Sequence, residues 1–228
     1  MAEKQSKNKW HTPAERIMML GFAAVILLGT ILLCLPVSAA DGKSVYWLDA
    51  LFTATTSVCV TGLVTVPTAT TWSTFGKIVI LGLIQFGGLG IMACLTMVFL
   101  ILRRKISLQS RKLIQDTYNL PVLKGSVGIV RKLLIGTAAV ELAGAFFYSF
   151  WFVPEYGFWK GIGYSLFHSV SAFCNAGFDL MGVKEPFSSL VSYSDDALVS
   201  ITIMLLIILG GIGFLVWDDI RLKGLRWR

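Results

Sequence analysis

Charged residues are scarce in this sequence. Only 14% of its 228 residues are charged, whereas 55% are hydrophobic and the mean hydropathy is +0.73. This composition excludes an ordinary water-soluble domain, which needs a more polar surface. Four apolar stretches are instead long enough to cross a hydrocarbon core of about 30 Å at about 1.5 Å per residue. These are Ile17–Val37, Ile78–Leu102, Leu133–Pro154 and Ala197–Trp217.

The sequence also lacks the motifs of common enzymes. It contains no HExxH, GxSxG or GxxxxGK(S/T), and the last three apolar stretches together hold a single charged residue, Glu141. The cysteines stand singly in apolar surroundings, which is typical of reduced structural thiols and not of a zinc site or a disulfide framework. They are Cys34, Cys59, Cys94 and Cys174. We therefore predict that the chain is not an enzyme and has no cofactor.

Acidic residues are fewer than basic ones, 13 against 20, so the formal net charge is +7. A basic protein can bind nucleic acid, but sixteen of the Lys and Arg residues lie before Ile17, between Arg103 and Lys132, or from Arg221 onward. Because basic residues of membrane proteins collect on the cytoplasmic side, we predict a multi-pass protein with cytoplasmic termini and no bound nucleic acid. The first apolar stretch exceeds a signal-peptide core and has no small-residue cleavage site after it, which indicates a retained span.

Two short apolar segments lie between the predicted spans, and each has about half the length that a crossing needs. We interpret these segments, Tyr46–Thr56 and Phe158–Cys174, as re-entrant half-helices. LFTATTSVCVTGL (51–63) aligns with LFHSVSAFCNAGF (166–178) at an offset of 115, and GGLGI (87–91) with GGIGF (210–214) at an offset of 123. Because the parts recur in the same order, we predict an internal repeat. The alternative is ordinary packing of small residues in membrane helices.

The predicted fold is an all-α integral membrane protein with tandem span–pore-helix–filter-loop–span repeats, as in potassium channels. The basic linker between the repeats carries apolar residues at helical spacing, so it either lies on the membrane surface or docks a cytosolic partner. The predicted parts are a cytoplasmic N-terminal tail (1–16), a first repeat (17–102), the cytoplasmic linker (103–132), a second repeat (133–217) and a cytoplasmic end (218–228).

The loops after the two half-helices are the candidate pore lining. A half-helix that ends near mid-membrane directs unsatisfied carbonyls and a partial negative charge at the interior, which favours a cation. Each loop has one glycine, Gly62 or Gly177, whose backbone freedom lets neighbouring carbonyls turn toward one axis. Neither loop has an acidic residue before its glycine, which favours neutral oxygens around a large monovalent ion. The other predicted filter residues are Val60, Thr61, Asn175 and Ala176.

These motifs resemble the Trk, Ktr and HKT superfamily of potassium transporters, and within it the membrane subunit of Ktr uptake systems. The resemblance rests on TSVCVTGL, HSVSAFCNAGF, GLIQFGGLGIM and LGGIGF. It implies four repeat units around one pore in the bacterial cell membrane, with Gly62 and Gly177 as filter glycines and potassium as the transported ion. It also implies a homodimer on a cytosolic nucleotide-binding regulatory ring, and uptake that sodium often stimulates. We predict no metal other than potassium.

The sequence departs from this family because it contains only two repeat units. Two units cannot surround an ion, so we expect that the chain is the N-terminal half of a longer protein or that two chains pair, and we favour the first. A truncated or non-conducting subunit that only anchors a partner is a further alternative. A transporter of organic solutes would typically have inverted repeats, whereas the two units here run in the same direction.

Three polar residues each have competing interpretations. Glu141 lies deep in a span, where an unpaired charge costs at least about 2.5 kcal/mol. It either has a structural role, which we favour, or is part of the ion path. In the structural role it is hydrogen-bonded to a neighbouring helix or to a pore-helix end, or it is protonated. Asp179 follows the second filter and either draws cations to the outer mouth or is an ordinary solvated carboxylate. His168 has no candidate metal partners, so we expect it to be packed or hydrogen-bonded.

Overall fold

The computed structural model describes residues 14–90, 93–94, 96–97, 126–183, 185–213 and 216–217. Nearly all of the predicted N-terminal tail, most of the basic linker and the whole predicted cytoplasmic end lie outside these residues. The described part of the chain is helical and has no strand, apart from an isolated bridge between Ala39 and Trp72. The all-helical character of the predicted fold is therefore confirmed for this part.

Four helices form an N-terminal group. They are α1 (Ala14–Cys34), α2 (Trp47–Val58), α3 (Thr68–Thr71) and α4 (Thr74–Leu89). Helix α2 is the first predicted half-helix, and it packs against both α1 and α4. The hydroxyl of Ser73 caps α4 by accepting from the N–H of Gly76 (3.2 Å) and donates to the carbonyl of Val37 (2.6 Å). This cap fixes the start of α4 beside the end of α1.

Three helices form a C-terminal group, α5 (Ser126–Tyr156), α6 (Phe158–Phe173) and α7 (Ala197–Gly211). Helix α6 is the second predicted half-helix, and all three helices contact one another. Helices α4 and α6 join the two groups, which share one buried core. Its members include Leu33, Ile80, Ile84, Phe152 and Phe167. The two predicted half-helices therefore lie on a common core.

Two predicted spans are interrupted by glycine. The predicted span Ile78–Leu102 breaks because α4 ends at Leu89 and Gly90 has a φ of 80°. The span Ala197–Trp217 breaks in the same way at Gly213, whose φ is 87°. The helices end at these positions because glycine enters the left-handed region at little cost. Residues 93–94, 96–97 and 216–217 are helical again beyond the breaks.

One helix of the described residues, Val127–Tyr156, is long and apolar enough to cross a membrane by length and composition. Three other apolar helices are shorter: Met18–Cys34, Thr74–Leu89 and Ala197–Gly211. Large apolar side chains are exposed on several helices, among them Leu27, Ile31, Phe146, Met204 and Ile208. Exposed apolar surface of this extent marks contact with lipid or with another protein.

Candidate functional site

The first half-helix ends in a Schellman turn. The N–H of Thr61 donates to the carbonyl of Thr56 (3.0 Å), and the N–H of Val60 donates to that of Ser57 (3.4 Å). The turn needs one residue in the left-handed region, and Val60 takes this position with a φ of 57°. Because a β-branched residue rarely adopts that conformation, the hydrogen bonds and packing around the turn must hold it there.

The second half-helix ends in the same turn. The N–H of Ala176 donates to the carbonyl of Ser171 (2.7 Å), and the N–H of Asn175 donates to that of Ala172 (3.0 Å). Asn175 has a φ of 57°, a conformation that asparagine tolerates well. Each of these residues lies 115 positions after its counterpart in the first turn.

Both predicted filter glycines follow these turns in left-handed conformations. Gly62 has a φ of 76° and Gly177 a φ of 70°. The residues between the left-handed pairs, Thr61 and Ala176, do not have positive φ values. The sign of φ therefore alternates over three successive residues in each loop.

One hydroxyl from each half-helix closes its loop. The Thr56 hydroxyl is hydrogen-bonded to that of Thr61 and accepts from the backbone N–H of Leu63 (3.0 Å). Its counterpart, Ser171, donates to the backbone carbonyl of Phe178 (2.6 Å). Both hydroxyls span the loop from the last turn of the helix to the residue after the glycine. The sequence analysis missed this role, although the repeat alignment places a hydroxyl residue at both positions.

The two loops meet at their glycines. A Cβ added to Gly62 would lie 2.7 Å from the carbonyl oxygen of Ala176 and 3.0 Å from the Cα of Gly177. One added to Gly177 would lie 3.2 Å from the Cα of Gly62. Ala176 is fully buried, whereas Thr61, Asn175 and Gly177 are exposed. The structure thus brings three of the six predicted filter residues into direct contact and leaves part of each loop open.

Glycines on α4 and α7 let these helices approach the ends of the half-helices. A Cβ added to Gly87 of α4 would overlap the carbonyl oxygen of Val58, the last residue of α2. A Cβ added to Gly210 of α7 would overlap the carbonyl oxygen of Phe173, the last residue of α6. The GGLGI and GGIGF motifs therefore provide the space in which each half-helix ends.

Glu141 is bonded to a neighbouring helix, as the favoured interpretation expected. Its side chain is buried, with 6% of its surface exposed. Both carboxylate oxygens accept from the side-chain amide of Gln85 on α4, each at 2.7 Å. The sequence analysis missed Gln85 because no local pattern relates two residues that are 56 positions apart.

His168 and Asp179 both organise the segment after the second loop. Nδ1 of His168 donates to the carbonyl of Tyr164 (2.7 Å), and Nε2 accepts from the N–H of Leu180 (3.2 Å). This confirms that His168 is hydrogen-bonded. Asp179 accepts from the N–H of Met181 (2.9 Å) and is half-buried. Both side chains line a cavity of about 200 Å³ beside Gly177.

Comparisons with known proteins identify similar sequences. The sequence model of the TrkH family, described as a cation transport protein, matches residues 6–223. The Ktr system potassium uptake protein B of Bacillus subtilis (strain 168) is 42% identical over 220 residues, which cover 96% of this chain and 48% of that protein. The potassium/sodium uptake protein NtpJ of Enterococcus hirae is 41% identical, over 95% of this chain and 47% of that protein.

A third relative is the Ktr system potassium uptake protein B of Vibrio alginolyticus, which is 38% identical over 95% of this chain and 46% of its own length. The chain therefore spans about half the length of the curated relatives it matches. All three names describe uptake proteins.

Proposed function

Because the chain belongs to the TrkH family of cation transport proteins, we propose that it forms part of a potassium-conducting pore in the cell membrane. The family membership supports the membrane location. The observation that carries the proposal is the contact between the two loops, where Gly62 and Gly177 meet at the ends of two half-helices. The names of the relatives, which are potassium uptake proteins, agree with it.

In this proposal, backbone carbonyl oxygens of the two loops coordinate the potassium ion. Because the sign of φ alternates over residues 60–62 and 175–177, we expect successive carbonyls of each loop to turn toward one side. The carbonyls of Val60, Thr61 and Gly62, with those of Asn175, Ala176 and Gly177, then replace the water shell of a potassium ion. The half-helices add the partial negative charge of their C-terminal ends.

The absence of carboxylates from the loops supports a monovalent ion. Residues 59–63 and 174–178 contain no Asp or Glu, so only neutral oxygens are available there. A divalent cation usually requires carboxylate ligands to offset its dehydration. Asp179 lies just beyond the second loop, where its charge raises the local concentration of cations at the outer mouth.

The architecture proposed is that of tandem potassium-channel units. Helices α1, α2 and α4 form the first unit, and α5, α6 and α7 form the second. Four such units are needed to surround one ion. The other two units belong either to the remainder of a longer protein, as the length of the relatives suggests, or to a second copy of this chain.

Orientation and partners complete the proposal. Both termini face the cytoplasm because the basic segments lie on that side of a multi-pass protein. The assembled transporter is a homodimer on a cytosolic nucleotide-binding regulatory ring, in keeping with relatives that are named as parts of a Ktr system. Sodium acts as a stimulating ion, and the name of the Enterococcus relative includes both ions.

Growth of a bacterium that lacks its own potassium uptake systems tests this function. The chain is expressed alone, and also joined to the second half of the Bacillus relative. Gly62→Ser and Gly177→Ser are compared with Gly42→Ser, because Gly42 has a similar φ of 72° but no atom within 4 Å of an added Cβ. With the second half joined, we expect growth at low potassium for the unaltered chain and for Gly42→Ser. The two filter variants should lose growth or admit sodium.

Each outcome distinguishes a different possibility. Rescue only with the second half present would identify the chain as half of a pore, whereas rescue by the chain alone would mean that two copies pair. Potassium uptake that survives both filter substitutions would disprove the filter assignment. Failure to rescue in either arrangement would leave only an anchoring role and reject the potassium function.

A further inference from the structure

A polar network lies behind the second loop and joins three helices. The amide of Gln85 on α4 donates to both carboxylate oxygens of Glu141 on α5. The carbonyl oxygen of the same amide accepts from the thiol of Cys174, at 3.8 Å, at the end of α6. The hydroxyl of Ser169 on α6 donates to the backbone carbonyl of Glu141 (2.6 Å). The side chain of Gln85 therefore bridges the buried carboxylate and the residue that begins the second loop.

Within the described residues, the first loop lacks two members of this network. The repeat offset of 115 places Ile26 at the position of Glu141 and Ala54 at that of Ser169. Both counterparts are apolar, so neither can make the side-chain hydrogen bonds that Glu141 and Ser169 make at the second loop.

The cysteine at the start of each loop shows the difference between them. Cys59 and Cys174 occupy the same position in the repeat, yet Cys59 is exposed and Cys174 is buried, with 9% of its surface exposed. Gly88 contributes to this burial, because a Cβ there would lie 2.7 Å from the Cβ of Cys174. Within the described residues, Cys174 is thus covered by α4 of the neighbouring unit, whereas Cys59 is exposed.

We propose that Gln85 is a positioning residue that holds the second filter loop in register with the first, and that Glu141 fixes Gln85 in place. A hydrogen bond to a carboxylate in a low-dielectric interior is stronger than one between neutral groups, and breaking it leaves a buried acceptor without a partner. The network crosses from the N-terminal to the C-terminal helix group. It therefore sets the position of one loop relative to the other. This proposal deepens the proposed function, since it rests on the loops forming a filter.

Thiol labelling tests the positioning role without requiring transport. Membranes that contain the full chain are treated with N-ethylmaleimide, and the labelling rate of each cysteine is measured by peptide mass spectrometry. In the unaltered protein, we expect Cys59 to react and Cys174 to be protected. Gln85→Leu should raise the labelling rate of Cys174 by about tenfold or more, the change that corresponds to a lost hydrogen bond to a charged group. The rate at Cys59 should stay unchanged.

Two further variants make the result specific. Exchanging the pair, Gln85→Glu with Glu141→Gln, keeps one amide and one carboxylate in the network, so it should restore the protection of Cys174. Thr30→Val removes a side-chain hydrogen bond from α1, to the carbonyl of Ile26, and should leave Cys174 protected. Unchanged labelling of Cys174 in Gln85→Leu would overturn the proposal. A general rise at all four cysteines that the exchange does not reverse would also overturn it.

Ion selectivity provides the second measurement. With the second half of the Bacillus relative supplied, Gln85→Leu should lower the preference of uptake for potassium over sodium, and the exchange should restore it. If the unaltered protein carries no potassium, the proposed function is wrong, while the labelling result still decides whether Gln85 positions the loop. In one further outcome, Gln85→Leu exposes Cys174 and yet leaves the ion selectivity unchanged. That result would mean that the position of the second loop does not affect selectivity, and it would overturn the role of Gln85 in positioning a filter loop.

Discussion

Val60 and Asn175 take the same left-handed conformation at the ends of the two half-helices. For residues other than glycine, this conformation costs about 1–2 kcal/mol, and asparagine is among those that tolerate it best. Asparagine therefore suits the second turn, whereas valine in the first is held by surrounding structure. The Cγ2 of Val60 would lie 2.8 Å from a Cβ at Gly87, so glycine at that position leaves the space into which the valine packs.

Asn175→Val should lower the stability of the protein by about 1 kcal/mol, because it places a β-branched residue in the left-handed region. Asn175→Gly should change stability much less, since glycine enters that region freely. The thermal unfolding midpoint of the purified protein in detergent measures the difference. Equal midpoints for the two variants would mean that the turn relaxes into another conformation.

The backbone of the two proposed filter loops was only partly predictable at the residue scale. The unusual backbone angles of Gly62 and Gly177 were predictable, because glycine after a short apolar segment permits them. The left-handed Val60 was not predictable, since its side chain disfavours that conformation and only the completed turn imposes it. The partner of Glu141 was not predictable either, because it depends on which faces of α4 and α5 meet.

At the scale of elements, the half-helices were predicted closely. The first was predicted at Tyr46–Thr56 and is observed at Trp47–Val58. The second was predicted at Phe158–Cys174 and is observed at Phe158–Phe173. Short apolar segments with a repeated sequence give a strong signal. The breaks at Gly90 and Gly213 were missed because glycine permits a break without requiring one. Gly82, which lies within α4, shows the same residue in an unbroken helix.

Gly87→Ala should lower stability by about 1–3 kcal/mol, the usual cost of overpacking, because its Cβ would overlap the carbonyl of Val58. Gly82→Ala is the matched control on the same helix. An added Cβ there meets no atom within 4 Å, so stability should hold or rise slightly. Unfolding midpoints and potassium uptake of the two variants measure the effect. A similar loss of stability in both variants would mean that α4 needs glycine for flexibility and not for its close approach to α2.

At the scale of the whole molecule, Tyr193 ties the connection between α6 and α7 to the end of α5. Its hydroxyl donates to the carboxylate of Glu155 (2.6 Å) and lies 3.1 Å from the hydroxyl of Tyr156. Burial, together with the hydrogen bond to Glu155, raises the pKa of Tyr193 well above its usual range. The folded state therefore favours the protonated phenol more than the unfolded state does.

Stability should consequently depend on alkaline pH. The contribution of Tyr193 is complete below the ordinary tyrosine pKa of about 10 and is lost as the pH rises through the higher pKa of the folded protein. The thermal unfolding midpoint should therefore fall between about pH 9 and 11, a range centred on the ordinary tyrosine pKa. In Tyr193→Phe this fall should be smaller. Tyr46→Phe, at an exposed tyrosine, should leave the fall as it is. An unchanged slope in Tyr193→Phe would contradict the assignment.

The breaks at Gly90 and Gly213 also have a mechanical consequence. A continuous helix transmits bending through its ladder of backbone hydrogen bonds, and bending concentrates where that ladder is interrupted. Each break lies three residues beyond the glycine that packs beneath a loop, and a new turn starts there, with Cys94 donating to the Gly90 carbonyl (3.3 Å) and Trp217 to that of Gly213 (3.4 Å). A load on the far segment of either helix therefore flexes this joint first, and the loop is insulated from it.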